Sequence, residues 1–64
     1  MKLNVEVTQD DIDAAKLVGA TGAELMEAAI HSALDRHGVP REGRSVKVTR
    51  GHIVIDLPPG YVLD

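Results

Sequence analysis

Between Thr21 and Pro40 the apolar residues fall at helical spacing, and both ends of the pattern carry boundary signals. Leu25, Met26, Ala29, Ile30, Ala33 and Leu34 recur at intervals that place them on one face of a helix. Thr21 and Glu24 have the spacing of a capping box. At the other end, Gly38 suits the left-handed position after the last turn, Val39 is placed to fold back on Leu34, and Pro40 stops continuation. The pattern predicts a helix over 22–37. A chain of 64 residues must spend most of its other apolar side chains covering that face. With no Cys, Phe or Trp and a single aromatic residue, Tyr61, the cover is aliphatic. Disulfides and thiolate-bound metals are excluded. So short a chain buries only about 60% of its unfolded surface, which allows one small domain of modest stability.

The flanking segments read as follows. Leu3, Val5 and Val7 alternate with Lys2, Asn4, Glu6 and Thr8, the period of a half-buried strand. Thr8 is placed to cap a first helix with Asp11 three residues on, and Asp10, Asp11 and Asp13 suit its positive N-terminal end. Ile12, Ala15 and Val18 give that helix a short apolar stripe, which Gly19 ends. Residues 40–45 form a polar loop. A hairpin follows, and with Arg50 and Gly51 as its two-residue turn, Val48 lies opposite Ile53 and Val46 opposite Ile55. That register puts the four on one face with Leu57, and a slip of one residue would mix them with Lys47. The fold expected is α+β: a three-stranded β-sheet in the order β-α-α-β-β, with two helices packed on one face. The first strand is expected beside one of the two hairpin strands. Residues 1–57 form the domain. Residues 58–64 form an apolar tail whose two prolines argue against a strand interior.

Seven basic against ten acidic residues, a net charge of −3, disfavours a dominant nucleic-acid or membrane-surface role. No apolar run approaches the roughly 20 residues of a membrane span, and a cytoplasmic location is expected. Glu27, His31 and Asp35 share one helical stripe, but no second element offers further ligands, so no metal and no cofactor is expected. His31, His37 and His52 stand in no nucleophile motif, and so small an aliphatic core leaves little room for a catalytic pocket. No catalytic residue is assigned, and the chain is expected not to be an enzyme. Val54, lone and apolar on a polar sheet face, points with Tyr61, Val62 and Leu63 of the tail to a protein-contact surface. Glu27, His31 and Asp35 form a secondary acidic surface. Residues 1–37 hold three basic and seven acidic residues and residues 38–64 four and three, a charge asymmetry that suits a protein partner or a homodimer.

Two resemblances extend this reading. Gly19-Ala20-Thr21-Gly22 is a Gly-x-x-Gly loop between two helices, and with Val18 and Leu25 at their spacing it resembles the core of KH nucleic-acid-binding domains. That resemblance implies contacts to a sugar-phosphate backbone at Gly19 and Gly22, and the basic residues that cluster in and after the polar loop, Arg41, Arg44, Lys47 and Arg50, would join them. The loop itself holds no Lys or Arg, and Gly19 and Gly22 also serve as plain helix boundaries. A ribbon-helix-helix arrangement would make Lys2, Asn4 and Glu6 the base readers, and Glu6 would repel phosphate. Over the whole chain, the strand running into Val7-Thr8-Gln9-Asp10-Asp11-Ile12, the alanine-rich helix and the hairpin ending in Leu57-Pro58-Pro59 resemble small accessory proteins of phages and prophages. This resemblance implies a small non-enzymatic interaction module that binds and modulates a host protein. Nucleic-acid binding of KH-like or ribbon-helix-helix-like type is the alternative.

Overall fold

The computed structural model describes residues 2–64. In chain order the elements are β1 (Lys2–Leu3), α1 (Gln9–Leu17), α2 (Gly22–Arg36), β2 (Ser45–Thr49), β3 (His52–Asp56) and β4 (Val62–Leu63). The α+β class holds, but the three-stranded sheet does not form. The strands make two separate two-stranded sheets, a parallel β1–β4 pair and the antiparallel β2–β3 hairpin.

The correction has a physical origin in residues 4–8. Lys2 pairs with Val62 and Leu3 with Leu63, and the Asp64 amide donates to the Leu3 carbonyl at 2.8 Å. Beyond Leu3 the backbone is drawn to the helices. The Glu6 carbonyl accepts from Arg36 Nη2 at 2.8 Å, and Thr8 caps α1. The alternating segment thus ends as a strand after two residues, and it pairs with the tail rather than with the hairpin. Neither are both helices spread on one sheet face. α1 packs on α2, and α2 in turn packs on β2, so α2 is the central layer. Small side chains make the helix contact close: Ala15, Ala29 and Ala33 are all buried.

Local signals set the helix ends. Thr8 and Asp11 form the expected capping box, each side chain bonding the other residue's backbone amide. α2 ends in a Schellman motif, with Gly38 at φ +77°, its amide donating to the Asp35 carbonyl and the Val39 amide to the Leu34 carbonyl. Val39 is thereby folded into the core beside Leu34, Ile30 and Leu3, and Val5, Val46, Val48, Ile55, Leu57 and Tyr61 pack around them. The expected Thr21–Glu24 box is absent: Thr21 makes no side-chain cap bond. Gly22, at φ +59°, turns the chain away from the geometry that box requires.

The hairpin has the expected register, Val48 opposite Ile53 and Val46 opposite Ile55. Arg50 and Gly51 at its tip have φ of +46° and +81°, the positive values of a type I′ turn. No helix among the described residues is long and apolar enough to cross a membrane.

Candidate functional site

A groove of about 510 Å³ runs beside α2, lined by Ala14, Ala15 and Val18 of α1, by Ala28, His31, Ser32 and Asp35 of α2, and by Arg41 and Arg44. Its character follows from two polar clusters. The first sits where α1 begins. Asp11 is 2% exposed, and its carboxylate accepts from the Thr8 amide and hydroxyl, from Ser32 Oγ at 2.8 Å, and from Arg36 Nη2 at 2.8 Å. The Arg36 guanidinium, with the Thr8 amide, holds this carboxyl well below the usual carboxylate range against the opposing effect of burial. Asp11 raises the Arg36 pKa in return. This cluster is fully paired and joins the two helices.

The second cluster fastens residues 40–44 to α2. The Arg44 side chain is 3% exposed. It donates through Nη2 to Asp35 Oδ1 at 2.6 Å, through Nη1 to the Val39 carbonyl at 2.8 Å, and through Nε to His31 Nδ1 at 3.2 Å. Arg41 also reaches Asp35, 3.1 Å from Oδ2, while remaining mostly exposed. Arg44 above all, helped by Arg41, lowers the Asp35 pKa. Burial, reinforced by the Arg44 charge, lowers that of His31. The Nε–Nδ1 bond requires an unprotonated Nδ1, so geometry and electrostatics agree on a neutral His31.

The residues singled out in the sequence are therefore distributed over several sites. Glu27, His31 and Asp35 do not converge: Glu27 accepts from the Val48 amide at 2.8 Å, while His31 and Asp35 turn to Arg44. Among the described residues no cluster of histidine and acidic side chains is disposed to hold a metal. Of the basic set, Arg44 is a buried brace rather than a free cation, and Arg41 shares Asp35 with it. Lys47 and Arg50 lie exposed on the hairpin without an ion pair among the described residues. Gly19 and Gly22 both have positive φ at the α1–α2 corner.

On the other proposed surface, Val54 and Val62 are about half exposed, at 53% and 56%, whereas Tyr61 is half-buried against the core. Sequence periodicity missed the most exposed apolar pair, Leu17 and Val18 at the end of α1, which stand 88% and 78% exposed. Val18 belongs by spacing to the apolar stripe of Ile12 and Ala15, yet of the three only Ala15 is buried. The usable signal was Leu17 itself, an apolar residue outside that stripe. Comparison with protein-family models, with curated proteins and with solved structures finds no match to this chain.

Proposed function

We propose that this chain is a small non-enzymatic protein-binding module, acting in the cytoplasm, whose working surface is the end of α1 and the groove beside it. The exposure of Leu17 and Val18 carries the reading. Two successive aliphatic side chains this exposed contribute little to the core and are available to a partner. Val18 also lines the groove that holds Arg41, so apolar surface and an outward guanidinium adjoin. A partner segment that buries an aliphatic or aromatic side chain against Val18 and offers a carboxylate to Arg41 fits this surface. The resemblance to phage accessory proteins supports a host protein as that partner and modulation by direct binding as the outcome.

Tagged protein incubated with host lysate, with and without nuclease, tests the proposal. A discrete protein retained after nuclease and lost with Val18→Glu or Arg41→Glu is the expected result. Recovery abolished by nuclease and by Lys47→Glu with Arg50→Glu, but indifferent to Val18→Glu, would instead assign the chain to nucleic-acid binding.

A further inference from the structure

The hairpin has two outer edges, and they are treated differently. On β2 the Val48 amide points away from β3, because it donates to Glu27 Oε2 at 2.8 Å. Val48 pairs with Ile53, so in an antiparallel ladder the Ile53 amide and carbonyl also point away from their partner strand. By alternation the same holds for Ile55. These groups make no hydrogen bond with the described residues. Glu27 thus occupies the β2 edge at Val48, where α2 packs along the strand, while among the described residues no helix packs on β3 and its outward groups stay open.

We infer that the β3 edge joins a second copy of this chain in an antiparallel, two-fold symmetric pairing centred on Val54, making a four-stranded sheet from two hairpins. The sequence His52-Ile53-Val54-Ile55-Asp56 is self-complementary in that register. Ile53 of one copy faces Ile55 of the other, which matches outward backbone groups to outward backbone groups at both ends of the pair. His52 faces Asp56 of the second copy. An imidazole N–H is a donor in either protonation state, so it meets a carboxylate acceptor. Val54 faces its own symmetry mate.

The neighbouring registers with correct backbone parity are inferior. Shifted one way, His52 falls opposite Val54 and Ile55 opposite Gly51. Shifted the other way, Asp56 falls opposite Val54 and His52 opposite Pro58. Only the centred register places both charged or polar end residues against complements and all apolar residues against apolar ones. It also accounts for the exposure of Ile53 and Val54, at 52% and 53%, although they project to opposite faces of one strand. At the Asp56 end, an open cleft of about 230 Å³ bordered by Leu57, Val62 and Leu63 gives room for the partner's turn.

The full chain, followed by light scattering and by amide hydrogen exchange from low to high micromolar concentration, decides the matter. The expected result is a concentration-dependent shift to a two-chain mass, with exchange at Ile53 and Ile55 slowed about tenfold or more as the two-chain species fills. His52→Asp sets a second carboxylate opposite Asp56 and is expected to weaken association about tenfold. His52→Asp combined with Asp56→Lys restores a complementary pair and is expected to recover it. A single-chain mass throughout would overturn the inference. So would a two-chain species that ignores His52→Asp but dissolves with Leu63→Lys, which would place the contact on β4. Leu17 and Val18 lie outside this interface, so partner capture through them stands or falls separately.

Discussion

Arg36, in the last turn of α2, grips Asp11, in the first turn of α1, with Nη2 2.8 Å from Oδ2 and Nε 3.3 Å from Oδ1. The same guanidinium holds the Glu6 carbonyl. One side chain therefore fixes the end of the N-terminal extended segment, the start of the first helix and the packing of the two helices. Asp11 is the reciprocal hub, because its carboxylate also caps α1 and receives Ser32. In a domain whose apolar core rests on Leu3, Ile30, Leu34 and Val39, such a junction carries an unusual share of the specificity of packing.

Replacing Asp11 by Asn keeps the volume and removes the charge, leaving Arg36 without its counter-ion and the cap weakened. The melting temperature followed by circular dichroism is expected to fall by about 10 °C or more. Asp11→Asn combined with Arg36→Met should cost less than the sum of the two single changes, since the second removes the group the first leaves unpaired. Strict additivity would show that the two residues act independently.

The acid side of the stability profile follows from the same groups. Asp11 and Asp35 are both held below the usual carboxylate value of 3.8, so their contributions are complete above that value and are lost as pH falls below it. His31 is lowered from its usual 6.5, so the unfolded chain binds that proton more readily and stability declines as pH falls below about 6.5. Melting temperatures measured from pH 8 to pH 3 should decline in two stages. His31→Gln should remove the upper stage while leaving the lower one.

What could be read from the sequence was what depends on neighbours a few residues apart. The Thr8–Asp11 cap, the Gly38-Val39-Pro40 helix stop and the hairpin register all follow from residues within one turn or one hairpin, and all three are present. The β1–β4 pairing was not legible, because two-residue strands have no periodicity and join segments at opposite ends of the chain. The braces at Arg36 and Arg44 were hidden for a related reason: ion pairs 25 and 9 residues apart form only once helix and loop have docked. By sequence alone Arg44 belongs with Arg41, Lys47 and Arg50 in one basic set. Its tie to Asp35 and His31, four residues apart on the adjoining helix, is visible only in three dimensions.

The core itself can be probed at Leu34, which is completely buried. Leu34→Ala should cost about 2–5 kcal/mol, enough to leave so small a domain largely unfolded at room temperature. Leu17→Ala, the same chemical change at an exposed position, should stay within about 0.5 kcal/mol. Chemical denaturation of both variants gives the comparison. A large loss with Leu17→Ala would mean that this residue supports the fold and not a partner.

At the hairpin tip Arg50 holds a positive φ without being glycine. A residue that carries a Cβ is strained there, and Asn, whose short polar side chain can hydrogen-bond locally, is tolerated better in a type I′ turn followed by Gly. Arg50→Asn is expected to stabilise the fold by about 0.5–1 kcal/mol, raising the melting temperature by a few degrees. No gain would indicate that the arginine side chain makes a compensating contact at the tip.

Glu27 tests how the sheet edges are managed. Its carboxylate takes the outward Val48 amide and so substitutes for a missing strand at the β2 edge. Glu27→Ala leaves that amide unpaired in a half-buried position and should cost about 1–2 kcal/mol. Glu27→Gln keeps an acceptor oxygen and should recover most of the loss. The sharper readout is local: Val48 amide exchange should quicken in the alanine variant and stay slow in the glutamine variant. Ile53 and Ile55, on the other edge, should respond to protein concentration and not to Glu27. Equal acceleration at Val48, Ile53 and Ile55 in Glu27→Ala would mean that the hairpin opens as a whole, and that Glu27 stabilises its docking on α2 rather than covering one edge.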